Sequence, residues 1–283
     1  PRLTLTLTML QSIERQSGLP IAFNPLTCTI SWPDSIPVGR ASTRTLEEMK
    51  EFIREPQAKA RQDGVYHVYR NLSRHEDAAR IRAARVRYDI TVIPPGAFAG
   101  QRREFLRTAG HYHALKPGTA IAYPEVYEVI AGRAYWLLQR PLTEDLSRLE
   151  ETYIVEAGPG EKAVMLPRFG HISINASDEP LVIANWISDT FQYDYQPYHR
   201  FHGGGYWVLE GDMPDTVEFE RNHNYASVPE LKKLRPKEAP ELGLERSRPL
   251  YSLAHNLDRL SFLNNPEEFT SILTLDHCYR TIV

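Results

Sequence analysis

The chain of 283 residues has only two cysteines, Cys28 and Cys278, and they stand at opposite ends. That is too few for a disulfide framework, and no Cys-x-x-Cys spacing offers zinc or redox chemistry, so both read as free thiols in a reducing, cytoplasmic compartment. Long apolar runs are missing as well. Nothing approaches the roughly 20 apolar residues of a membrane span, and residues 1–8 alternate like a strand rather than forming a signal-peptide core. Positive charge is not in excess either: the net charge is −3 and the pI is near 6.4. Without a broad electropositive field, nucleic acid and anionic membrane are excluded as main partners, and any phosphate must meet a local site. No Gly-x-Ser-x-Gly nucleophile elbow exists, which leaves His202-Gly203-Gly204-Gly205 as a glycine-rich turn rather than an esterase loop. Internal repeats, low-complexity tracts and Gly/Ser linkers are absent, which favours one β-domain with flanks wrapped onto it over two independent domains.

What is present is a soluble composition, 42% hydrophobic, with ample apolar material for a core. Residues 20–37 are punctuated by proline. Thr45-Leu46-Glu47-Glu48 has capping-box spacing and predicts a helix to about Arg54, stopped by Pro56. From Val65 the texture changes to short runs rich in Tyr, Val, Ile and Thr between Gly and Pro turns, predicting strands over 65–70, 88–93, 104–108, 125–130, 134–139, 152–156, 163–166, 181–187 and 206–210. Many short strands with turn signals indicate an antiparallel sandwich or barrel. Beyond Pro229 a helical texture returns, with 252–263 patterned on one side and Asn265-Pro266-Glu267-Glu268 reading as a helix start. The expected organisation is an N-terminal flank over 1–60, a barrel with the site over 61–215, and a mostly helical extension over 216–283.

The chemistry concentrates in Gly110-His111-Tyr112-His113, in Glu125-Val126-Tyr127-Glu128, and in His171 with Asn175 four places on. Successive strand side chains face opposite sides, so His111 and His113 share one face while Tyr112 takes the other. By the same parity Glu125 and Tyr127 point together and Glu128 points away, which makes Glu128 the weaker ligand candidate. His111, His113, Glu125 and His171 form a borderline donor set suited to Fe, Mn, Ni, Co or Zn, lacking the all-oxygen shell that Mg or Ca prefers. On a six-coordinate ion, four ligands leave two adjacent positions for oxygens on neighbouring substrate carbons.

At these residues the sequence resembles a cupin: a His-x-His, a Glu, then Gly132, and in a second motif Pro167, His171 and Asn175. The resemblance implies an all-β core, a double-stranded β-helix or jelly-roll barrel. Tyr66-His67-Val68-Tyr69-Arg70, the run from Tyr88 through Thr91 to Pro94-Pro95-Gly96, Arg103-Glu104-Phe105 and Thr108-Ala109-Gly110-His111-Tyr112-His113 further resemble the cupin-type glucose-6-phosphate isomerases, from about Thr43 to Val228-Pro229-Glu230-Leu231. That family implies metal ligands at His111, His113, Glu125 and His171, and substrate contacts at Tyr66, Thr91, Thr108, Gly110 and Tyr195, with Tyr127 also lining the cavity. It implies one divalent transition metal per chain, Fe²⁺ first, a phosphosugar substrate, a homodimer, and a place in glycolysis and gluconeogenesis.

Two departures stand out. Residues 114–124 separate His113 from Glu125, a longer loop than in short archaeal members. Tyr193 stands where relatives often carry histidine, leaving His199 or His202 as candidate replacements. The expected reaction is reversible interconversion of glucose 6-phosphate and fructose 6-phosphate. Glu125 and Tyr127 are the candidate catalytic residues of an enediol route, and a direct hydride shift needs no base. Rival readings are a ferrous cupin dioxygenase, which leaves the threonine and tyrosine pattern unexplained, and a non-catalytic sugar-binding cupin, which has no need of four intact ligands.

Overall fold

The computed structural model describes residues 10–282 except 38, 144, 214 and 215; the alternating segment 1–8, on which the dimer expectation partly rested, lies outside the described residues. Strands in the middle of the chain are apolar on both faces because each is covered twice, once by the barrel interior and once by the flanking segments. Leu181–Ser188 is buried at every position. The strands form an all-β jelly roll built on two main sheets. A six-stranded antiparallel sheet runs in the order Lys162–Met165, Glu125–Ala131, Leu181–Ser188, Val86–Ile93, Gly64–Arg70 and Arg40–Thr45. A five-stranded sheet runs Gly170–Ile174, Ala134–Leu142, Asp145–Ala157, Lys232–Pro236 and Tyr279–Ile282, with one parallel pairing between Asp145–Ala157 and Lys232–Pro236.

Glu125–Ala131 and Ala134–Leu142 belong to different sheets and are joined by a turn at Gly132. Gly132 has φ +82°, and a Cβ there would lie 2.6 Å from the Pro180 carbonyl oxygen. Both the left-handed backbone and the close approach exclude other residues. Trp136, Trp186 and Tyr88 are fully buried. The Trp186 indole N–H donates to the Leu250 carbonyl at 2.9 Å, pinning the C-terminal segment to the barrel.

The capping box at Thr45 forms as read, with Thr45 Oγ1 accepting from Glu48 N–H and the Glu48 carboxylate accepting from Thr45 N–H. Its α-helix is only Leu46–Met49, continued by a 3₁₀ turn over Lys50–Phe52. The C-terminal segment departs more from expectation. Residues 252–263 fall in two 3₁₀ helices, Leu250–His255 and Leu257–Leu263, Pro266–Glu268 is a third, Asn265 makes no side-chain cap, and the described α-helix there is Leu275–Cys278. Pro249 and Pro266 flank the longer stretch, and inside it Asn256, at φ −144° and ψ 70°, leaves the helical region and separates two 3₁₀ helices. On either side of these helices, Val217–Arg221, Lys232–Pro236 and Tyr279–Ile282 are strands. Arg40–Thr45, Lys232–Pro236 and Tyr279–Ile282 join the two main sheets from outside residues 61–215. Cys28 and Cys278 are both free and buried, and no described helix is long and apolar enough to cross a membrane.

Candidate metal centre

His111 and His113 sit where the chain turns through Gly110, whose φ is +80° and whose missing Cβ would lie 2.6 Å from Ile172 Cγ1. A backbone pair, His111 N–H to His171 O at 3.2 Å and His171 N–H to His111 O at 3.1 Å, brings the third imidazole alongside. Glu125 enters from the other sheet at the start of its strand. Each of the four residues offers one donor atom, and these atoms all lie within 4.8 Å of one another. His111 Nε2 and His113 Nε2 are 3.1 Å apart, and Glu125 Oε2 lies 3.4 Å from His113 Nε2 and 3.3 Å from His171 Nε2.

The surroundings orient these groups. His113 Nδ1 is 2.8 Å from the Tyr123 carbonyl, which can only accept, so Nδ1 carries the proton and Nε2 keeps its lone pair for the cavity. Asn185 Nδ2–H donates to Glu125 Oε1 at 2.6 Å, fixing the carboxylate plane. Glu125 Oε2 is buried without a hydrogen-bond donor. A carboxylate oxygen surrounded by imidazole nitrogens is a ring of electron pairs, an arrangement that fits a cation. Burial opposes ionisation of Glu125, but contact with the His113 and His171 imidazoles in their protonated form outweighs it and holds its carboxyl at about 2. Burial, reinforced by the other two imidazoles, holds His111 well below the ordinary histidine range, and burial lowers His171 too. An anionic carboxylate beside neutral imidazoles is the charge state that metal ligation requires.

Strand parity assigns the neighbours as the sequence indicated. Tyr127 shares the Glu125 face, with its hydroxyl 3.4 Å from His171 Nε2. Glu128 faces away, paired at 2.8 Å with buried Lys162 and accepting from Leu250 N–H at 2.6 Å. Tyr112 also points away and accepts from Gln139 Nε2–H at 2.7 Å. Tyr195 packs 5.6 Å from the His111 ring. Val68 pairs with Thr91, which pairs in turn with Ile183, so Thr91 and Tyr66 lie on the face that carries Glu125. Thr108 Oγ1 accepts from Ser173 N–H at 3.0 Å. Asn175 is buried and braces Ile93, Pro94 and Glu179 through its amide rather than joining the cluster. His199 packs on Phe52, and the glycines after His202 lie tight against Leu137 and Leu149.

The sequence reading missed several polar residues on the same inner face. Pairing across the sheet aligns Glu125, Ile187 and Arg87 in one row, and Tyr127, Asn185 and Asp89 in the next. Arg44 Nε–H donates to the Tyr66 hydroxyl at 3.2 Å, and its guanidinium carbon lies 5.8 Å from the Tyr195 ring centre. The available signal was a polar residue inside an otherwise apolar strand, as Asp89 and Asn185 are.

A jelly roll with three imidazoles and a carboxylate converging inside it defines a cupin whose four converging donors could hold a metal ion. The family model described as glucose-6-phosphate isomerase (GPI) matches residues 42–227, and the chain belongs to that family. It is 28% identical over 162 residues to a glucose-6-phosphate isomerase of Thermococcus litoralis, covering 56% of this chain and 74% of the relative. A glucose-6-phosphate isomerase of Thermococcus onnurineus (strain NA1) is 30% identical over 151 residues, covering 52% and 69%. A solved structure of oxalate oxidase superposes with a TM-score of 0.31 at 16% identity, over 50% of this chain and 57% of its own, too slight a likeness to carry a conclusion.

Proposed function

We propose that this protein is a metal-dependent isomerase interconverting glucose 6-phosphate and fructose 6-phosphate, with His111, His113, Glu125 and His171 as ligands. The observation that carries the reading is the buried ring of four converging donors in a chain of this family. A divalent transition metal bound there, Fe²⁺ first and Mn, Ni, Co or Zn as alternatives, supplies Lewis-acid polarisation of the sugar carbonyl and hydroxyl. Thr91, Thr108, Tyr66, Tyr195 and the backbone at Gly110 are proposed to hold the phosphosugar, with Arg44 as the nearby cation that the chain as a whole does not provide.

Glu125, held at about 2, is suited to ligation and is several units too acidic for an effective base at neutral pH. Burial and the Glu125 charge push the Tyr127 phenol well above its ordinary value, so it stays protonated and can donate to a sugar oxygen. Both properties favour a route in which no carboxylate removes the C2 proton. Deuterium placed at C2 should then be retained at C1 of the product, and rapid washout into solvent would refute that route. The function itself is tested with a coupled fructose 6-phosphate assay on chelator-stripped protein reloaded with single metals, with His111→Ala as control. Normal turnover by stripped protein or by the variant sinks the metal-dependent reading. The resemblance further supports a homodimer, which light scattering of the full chain would check.

A further inference from the structure

Tyr193 stands directly across the strand pair from His113, so the two side chains share the ligand face. Its ring lies edge-on to His111 at 4.6 Å, stacks on Tyr195 at 5.6 Å and contacts Phe191 at 4.4 Å. Arg87 Nη2–H donates to the Tyr193 hydroxyl, while Arg87 Nε–H donates to Asp89 Oδ2 at 2.9 Å. The Arg87 guanidinium carbon is 5.5 Å from the Phe191 ring centre and 5.9 Å from that of Tyr193. Asp89 is buried and its other oxygen accepts from Asn71 N–H at 2.9 Å, so the brace is itself immobilised.

The proton count is informative. A guanidinium has five donors and no acceptor, so in its contact with Arg87 the Tyr193 oxygen accepts. The phenolic O–H is left over, and among the described residues it finds no protein acceptor. An immobilised hydroxyl with an unused proton beside the imidazole of a metal ligand is a hydrogen-bond donor prepared for something that is not protein.

We propose that Arg87, braced by Asp89, orients Tyr193 so that its O–H donates to an oxygen of the open-chain sugar at the metal centre. Tyr193 is then a substrate-contacting residue, and Arg87 and Asp89 are positioning residues acting through it. This rests on the isomerase reading above. It also gives the departure from histidine at this position a chemical meaning: a neutral phenol oriented by a cation replaces an imidazole as donor.

The test uses metal-loaded full-length protein with Tyr193→Phe, the paired change Arg87→Met with Asp89→Asn, and all three changes together. The paired change removes both charges, so neither is left buried alone. Tyr193→Phe should lower kcat/KM for fructose 6-phosphate by about tenfold to a hundredfold, the loss expected for a hydrogen bond to a polar substrate group, with metal content unchanged. The paired change should cost a similar factor, and the triple variant no more than Tyr193→Phe alone, because the residues act as one unit. Tyr193→Phe within twofold of wild type overturns the proposal, as does multiplication of the two factors in the triple variant. Wild-type protein that fails to turn over fructose 6-phosphate refutes the isomerase reading instead. Calorimetric binding of fructose 6-phosphate then decides this proposal: equal affinity of wild type and Tyr193→Phe overturns it, and affinity weakened about tenfold supports it.

Discussion

Glu125 and Glu128 lie three residues apart on one strand, and exchanging each for glutamine should produce opposite results. The Glu128 carboxylate is paired at 2.8 Å with Lys162, and both side chains are at most 3% exposed. Lys162 Nζ also donates to the carbonyls of Gly160, Glu245 and Arg248. Neutralising Glu128 leaves an ammonium buried against carbonyl dipoles alone, and breaking such a pair costs about 3–5 kcal/mol. At about 2–4 °C per kcal/mol for a domain of this size, Tm should fall by about 6–20 °C. The loss should be the same with chelator as with metal. Glu125→Gln acts through the metal instead. With free metal at about a hundred times Kd, binding adds about 2.7 kcal/mol to the native state, and a hundredfold loss of affinity reduces that increment to about 0.4 kcal/mol. Thermal unfolding of both variants and wild type, in chelator and in excess Mn²⁺, measures both quantities. A Glu128→Gln protein without a metal-induced rise in Tm, beside a Glu125→Gln protein that keeps one, would reverse the ligand assignment and refute the parity argument.

In metal-free protein, His111 and His171 are depressed in the folded state, so the unfolded chain binds more protons. Stability should be full above about pH 6.5 and decline as pH falls through the window below it. Glu125, at about 2 when folded, adds a further loss of up to about 3 kcal/mol between roughly pH 4 and pH 2. Chelator-treated protein equally stable to urea at pH 7 and pH 5 would contradict this. Asn185→Ala should weaken metal binding by about 10- to 100-fold by releasing the Glu125 carboxylate, and competition titration against a chromophoric chelator would reveal it. Gly132→Ala should destabilise by at least about 1–3 kcal/mol, since it combines a left-handed backbone with a contact at 2.6 Å; unfolding at the wild-type midpoint would show that the turn relaxes.

The convergence of His111, His113, Glu125 and His171 was legible because its logic is local. His-x-His on a strand and Glu125 at a strand start follow from period-two parity, which also separated Glu128 and Tyr112 from the cavity. Most strands from 65 to 210 were legible for the same reason, although the strand expected over 104–108 is Arg103–Phe105 and Gly170–Ile174 was overlooked because the Pro167-Arg168-Phe169-Gly170 turn runs straight into it. What sequence order does not encode is which distant strand lies next to which. Arg40–Thr45 joins the barrel sheet through Gly64–Arg70, and Arg87 meets Tyr193 across 106 positions of chain. Each arginine reads as an ordinary surface cation until its row in the sheet is known. The 3₁₀ turns after Pro249 have the apolar spacing of a helix and bury the same residue types, so periodicity alone could not tell them from α-helix.

The loop over residues 114–124 bears on whether the site could be transplanted. Its Tyr123 carbonyl orients His113, its Tyr123 hydroxyl accepts from Thr190, and its Lys116 pairs with Glu267 and donates to Asn265 at 3.2 Å. Asn264 next door accepts from Ser188 at 2.7 Å. A designer who excised residues 61–215 as a minimal scaffold would keep all four proposed metal ligands yet leave behind the far end of the strut that holds one imidazole at its angle. The portable unit of this centre is therefore larger than its ligands and includes a stretch of chain about 150 residues downstream of His113.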